Sequence, residues 1–178
     1  MNNSDILTNI LRFIALVLLQ VLLLNHINFL GYINPYVYIL FIILFPLDGN
    51  RSLLIFLSFL LGLSVDIFDD SGGVHAAASV FIAYLRSSIL KFSFGVSYEY
   101  NMTKISKASL IEQFTYISLM VLAHHLVLFA LEIFNLSHIL LLLKSTLFSG
   151  IFSTVIICCS LLLFSRKSSW ENCYFLQL

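Results

Sequence analysis

The strongest constraint in this chain is a set of long apolar runs broken by almost no charge. The last, residues 138–164, holds a single charged side chain, Lys144. A helix needs about 20 apolar residues to cross ~30 Å of hydrocarbon. Residues 13–30 and 53–68 have the same character, and 74–92 and 110–134 add isolated polar side chains. A sixth stretch, 36–47, is short and bounded by Pro35 and Pro46; proline suits a first helical position and a helix end. Strands of an outer-membrane barrel would alternate polar and apolar residues. Runs such as Leu16–Val17–Leu18–Leu19 do not. The expected fold is all-α: one transmembrane domain over residues 1–178, an integral membrane bundle of six transmembrane helices.

Charge supports that class and orients it. Only 10% of the 178 residues are charged, against roughly a quarter in a soluble domain. Nine basic and nine acidic residues cancel, which excludes an electrostatic nucleic-acid binder. Three cysteines, two of them the adjacent Cys158 and Cys159, give neither a disulfide framework nor a metal spacing. Arg12, Arg51, Arg86, Lys91, Lys104, Lys107, Arg166 and Lys167 all fall on one side if six spans leave both termini in the cytoplasm. Under the positive-inside rule this N-in/C-in arrangement is expected. A five-span arrangement without 36–47 would put Arg12 and Arg51 on opposite sides. The run after Arg12 is longer than a signal core and lacks an A-x-A-like site before Gly31, so it is expected to be a retained span. The connection Ser93–Lys107, with Tyr98 and Tyr100 beside lysines, reads as an interfacial belt or a partner-binding surface.

Nucleotide-loop, zinc-protease and serine-hydrolase signatures are missing. No catalytic residue, cofactor or metal ligand is expected, and the chain does not read as an enzyme. The most informative stretch is Gly62–Arg86. Gly62 and Asp66 share a helix face, and Asp66, Asp69 and Asp70 gather at the outer end of the third span. Carboxylates oppose the dipole at a helix C-terminus, so Asp69 and Asp70 are expected beyond the helix, in a turn made by Ser71–Gly72–Gly73. Asp66 is expected to accept from backbone donors of that turn and of the fourth span; a cation site with His75 and a contact to an outer partner are the alternatives. Ala76, Ser79 and Ala83 form a small-residue stripe that favours close helix packing. Arg86 is expected to snorkel toward the cytoplasmic headgroups.

The fifth span carries His124 and His125 near mid-depth, where ionisable residues usually face inward. Neighbours on a helix point about 100° apart, so the two cannot face the same helix. His125, Phe129 and Glu132 share a face. Glu132 and Lys144 are expected to form an intramembrane polar pair, which would offset the ~2.5–3.5 kcal/mol insertion cost of a central lysine. A proton-coupled carrier or intramembrane enzyme would rest on His124, His125 and Glu132. Cys158 and Cys159 read as packing residues.

The run Gly62–x3–Asp66 … Gly73–x–His75–Ala76–Ala77–Ala78 … Tyr84–Leu85–Arg86 closely resembles the rod shape-determining MreD family, in its Bacteroidetes-like form. The specific pattern covers about 25 residues, and the nearly loop-free layout resembles the family along the whole chain. The resemblance implies a multi-pass protein of the cell inner (cytoplasmic) membrane and of the cell-elongation machinery. It would act in regulation of cell shape and peptidoglycan synthesis. The implied direct partner is a MreC-like protein, with MreB, RodA and penicillin-binding protein 2 reached indirectly, and membrane lipid around it. It also implies a fold similar to the S components of energy-coupling-factor transporters. Gly62, Asp66, Gly73 and His75 match the family motif. The alternative is a solute-binding subunit of a vitamin-type transporter, weakened by the presence of only Ala15 as a small residue on the first span.

Overall fold

A computed structural model describes residues 3–26, 34–47, 49–95, 105, 108–133 and 139–174, with side chains given for 6–25 at the start and up to 161 at the end. Among these the chain is all-α, with six α-helices. They are α1 (Asn3–Leu22), α2 (Leu40–Leu44), α3 (Arg51–Asp69), α4 (Val74–Phe94), α5 (Leu110–Ile133) and α6 (Ile139–Tyr174), and a 3-10 turn, Leu24–His26, follows α1. Four helices are long and apolar enough to cross a bilayer: α3, α4, α5 and the Ile139–Leu161 part of α6. A shorter apolar stretch, Ile6–Leu22, lies in α1. These features make the chain a multi-pass membrane protein.

Local chemistry sets several helix ends. The Asn50 side chain accepts from Ser52 N at 2.8 Å and starts α3. Ahead of α5, Ser109 and Glu112 cap each other, Ser109 N donating to Glu112 Oε2 (3.0 Å) and Glu112 N to Ser109 Oγ (3.3 Å). That reciprocal pair is a capping box. The α3–α4 turn needs positive φ: Asp70 closes α3 at 53°, and Gly73 opens α4 at 96°, a region glycine enters without steric cost. Asp69 is the last residue of α3, so only Asp70 lies beyond the helix.

Successive helices from α3 to α6 pack against one another, α1 packs on α3, and residues 34–47 thread the centre. Here the structure departs from a sixth helical span. Only five residues of 36–47 are α-helical, and every residue from Tyr36 to Ile43 is buried. An irregular backbone inside a membrane bundle must find hydrogen-bond partners in protein. It does so in side chains. Asn34 N donates to Ser149 Oγ (3.2 Å), Tyr36 N to Ser153 Oγ (3.0 Å) and Val37 N to Gln20 Oε1 (2.9 Å). Gln20 Nε2 returns a bond to Pro35 O at 3.1 Å. One glutamine and two serines take the place of helical hydrogen bonds.

Other boundaries also move. The first helix begins at Asn3 and ends at Leu22, not at 13 and 30. Arg12 therefore lies within α1 rather than before it, donating to Leu44 O (3.3 Å) and Asn9 Oδ1 (3.4 Å). The last helix continues to Tyr174. Most of the expected partner-binding or interfacial connection, 96–104, lies outside the described residues.

Candidate functional site

The motif residues meet at the joint between α3 and α4. Gly62 is where the helices touch backbone to backbone: a Cβ there would lie 2.5 Å from Ala76 Cα and from His75 O. That approach lets Asp66, one turn further on, reach the start of α4. Asp66 Oδ1 accepts from His75 N (2.9 Å) and from the Ser71 hydroxyl, and Oδ2 accepts from Ala76 N (2.8 Å). The carboxylate thus satisfies two backbone donors that the first turn of α4 leaves open and sits at its positive end. The backbone-capping role expected of Asp66 is what the structure shows. Ala76, Ser79 and Ala83 are all buried.

His75 points inward from the same turn. Its Nδ1 is 2.9 Å from the Tyr38 hydroxyl, and its Nε2 is 3.5 Å from Asp69 Oδ2. The Tyr38 hydroxyl also lies 2.7 Å from His124 Nε2. One phenol in the central segment therefore joins histidines of α4 and α5. A second set runs beside it. His125 Nδ1 lies 2.8 Å from Val121 O, which can only accept, so Nδ1 carries the proton. Nε2 then accepts from Ser153 Oγ (3.1 Å), whose oxygen accepts from Tyr36 N. The adjacent histidines serve different partners, as their angular separation requires. The Tyr36 ring packs against both sets, with centroids 5.2 Å from His75, 5.4 Å from His125 and 6.3 Å from Phe129.

Above this cluster is a cavity of about 520 Å³ lined by Asn25, Asn34, Asp69, Asp70 and Glu132 at its mouth and by Tyr36 and His75 below. Asn25 Nδ2 donates to Asp69 Oδ1 at 2.7 Å. Glu132 faces this cavity, whereas Lys144 stands exposed on α6 and does not line it. Among the described residues, no three His, Cys, Asp or Glu side chains converge as a metal site. Asp66 in particular has both oxygens committed to protein donors.

Arg86 behaves differently from the expected snorkelling side chain. It is 5% exposed, and it donates from Nε to the Tyr116 hydroxyl (3.1 Å) and from its terminal nitrogen to Phe45 O. Tyr116 Oη in turn donates to Ile43 O at 3.3 Å. The short α2 leaves its last carbonyls without intrahelical partners, and buried acceptors of that kind are costly to leave unpaired, which draws the guanidinium inward.

Sequence reasoning thus identified Gly62, Asp66, Gly73, His75, His124 and His125, but not Gln20, Tyr36, Tyr38, Ser149 or Ser153. One signal was present: Ser145, Ser149 and Ser153 recur every four residues, and all three are buried. Comparison with protein-family models, curated proteins and solved structures finds no significant match.

Proposed function

We propose that this chain is a non-enzymatic membrane scaffold of the MreD kind in the cytoplasmic membrane. It would bind a MreC-like partner directly and, through it, support peptidoglycan synthesis by MreB, RodA and penicillin-binding protein 2 during control of cell shape. The observation that carries the reading is the α3–α4 joint. Gly62, Asp66, Gly73 and His75, the residues of the family motif, come together there, with the Asp66 carboxylate bonded to the first turn of α4. On its outer side the same joint bears an apolar groove of about 630 Å³, lined by residues including Ile55, Phe59, Ala76, Ala77 and Phe81. With small residues on its floor, a partner helix can approach closely where lipid supplies no hydrophobic drive. The reading needs neither cofactor nor catalytic group.

The test is co-purification from gently solubilised membranes, with native protein beside Ala77→Trp, which fills the groove from an exposed position. Recovery of a MreC-like protein with the native chain and its loss with the variant supports the scaffold. Recovery of no wall-synthesis component overturns it.

A second reading, a solute-binding subunit of a vitamin-type transporter, is favoured by the polar cavity beside Tyr36 and His75. Saturable binding of one member of a vitamin panel to purified protein would select it.

A further inference from the structure

We propose that His124 is a buried proton-binding site served from the Asp69 side alone, through Tyr38 and His75. His124 is fully buried, and its Nδ1 has no hydrogen-bond partner. Its one hydrogen bond among the described residues is to the Tyr38 hydroxyl at 2.7 Å. Tyr38, also fully buried, continues to His75 Nδ1, and His75 Nε2 faces Asp69 in the wall of the polar cavity. Any hydrogen-bonded exchange of a proton with His124 therefore passes through this phenol.

The other direction is closed. Between His124 and the Arg86–Tyr116 cluster, each contributing element places an apolar residue: Ile42 on the central segment, Ile82 on α4 and Met120 on α5. All three are fully buried. Such a layer offers water no partners.

The other titratable groups nearby are accounted for. From α3, Asp66 is held by backbone donors. On α5 itself, His125 is engaged by Val121 O and Ser153, and Glu132 lines the same cavity as Asp69 and His75. From the central segment, Tyr36 presents its ring to His124 at 6.4 Å, and α6 contributes the Ser153 hydroxyl on the His125 side.

The transfer balances. Asp69 as a carboxylic acid gives its proton to His75 Nε2, and His75 Nδ1–H passes to the Tyr38 oxygen. The Tyr38 hydroxyl proton moves to His124 Nε2. Three bonds to hydrogen break and three form. His124 becomes an imidazolium, Asp69 a carboxylate, and the two residues between are neutral again with their hydrogen bonds reversed.

The experiment is 15N NMR of the ring nitrogens of 15N-histidine protein in lipid nanodiscs as the medium is acidified, because the path delivers its proton to His124 Nε2 and leaves the Nδ1 proton in place. His124 Nε2 is expected to change from an acceptor to an N–H nitrogen ahead of His125 Nε2, which Ser153 engages. Tyr38→Phe, which removes one oxygen, should move that change at His124 down by about one pH unit or more, tenfold in proton affinity, and leave His125 unaltered. A native His124 Nε2 that stays unprotonated until the protein unfolds, or an unchanged midpoint in Tyr38→Phe, would overturn the proposal. If Tyr38→Phe does not fold, Asp69→Asn at the cavity rim decides: the midpoints of His75 and His124 should fall together, and a fall at His75 alone overturns the path.

Discussion

Asp66 and Arg86, each 5% exposed, complete the open ends of two different helices. The Asp66 carboxylate takes the first N–H groups of α4, and the Arg86 guanidinium, carried by α4 itself, takes carbonyls at the end of α2. Eleven residues, or about 16 Å of helix, separate the two levels. Charge is thus spent on main-chain termini at both depths rather than on an ion pair. Such termini, left bare inside a bundle, would each cost several hydrogen bonds.

Asp66→Ala should therefore be severe. It strands His75 N and Ala76 N, and each orphaned buried donor costs about 1–3 kcal/mol. Asp66→Asn keeps one acceptor oxygen and should lose roughly half as much. Thermal unfolding of the detergent-purified protein gives the order native, Asn, Ala. Equal loss in both variants would show that the charge, rather than the geometry of acceptance, matters.

Gly62→Ala tests the close approach. The added methyl would meet the Ala76 and His75 backbone at 2.5 Å, and a backbone cannot swing aside as a side-chain tip can. Overpacking of this kind costs about 1–3 kcal/mol. Gly150→Ala is the control, because its Cβ would meet only a Leu122 methyl at 3.4 Å. The first should lower the melting temperature by several degrees and the second by little.

Arg86→Met removes the donor from Phe45 O and Tyr116. Because those acceptors stay buried, the loss should be about 2–3 kcal/mol. Arg86→Lys keeps the charge but presents a point rather than a planar fork, and it should recover only part of that. The readout is again thermal unfolding. Full recovery by lysine would mean that the net charge alone is what the site holds.

The distribution of basic residues predicts both chain ends on the cytoplasmic side, with Asp70 on the other. Reporters active on one face only, fused at each end, should both read cytoplasmic. A cysteine at Asp70 in a chain without Cys158, Cys159 and Cys173 should react with an impermeant reagent added outside intact cells. Ends on opposite faces would reverse the placement of the acidic cavity.

Why some of this was legible and some not follows from the kind of interaction. Long apolar runs and the Gly62–Asp66 spacing are local, and a helix turns local spacing into a shared face. The contacts of residues 34–47 are not local: Tyr36 and Ser153 are 117 positions apart, and Val37 and Gln20 are 17. Two prolines around an apolar dozen read naturally as a short helix, and nothing in periodicity says that Tyr36 and Val37 would take their bonds from serine and glutamine. Arg86 misled for a related reason. An arginine near a span's end usually reaches for headgroups, and only the nearby end of α2, fixed by tertiary structure, draws it inward.

Ser153 is where that non-local chemistry can be tested most directly. Its hydroxyl oxygen accepts from Tyr36 N and its proton goes to His125 Nε2, so Ser153→Ala orphans a main-chain donor and an imidazole acceptor together. The expected cost is about 2–4 kcal/mol, two unsatisfied buried groups at 1–3 each with partial relaxation. Ser160→Ala, on the same helix, supplies the comparison. Its hydroxyl bonds the Ile157 carbonyl of its own helix at 2.7 Å, and that acceptor sits beside a redundant helical ladder, so loss should stay within about 0.5 kcal/mol. Thermal scans of the two variants in one detergent compare one oxygen atom removed from each. A large gap means that α6 holds the irregular segment through Ser153; equal, small losses would mean that packing around Tyr36 and Tyr38 suffices without it.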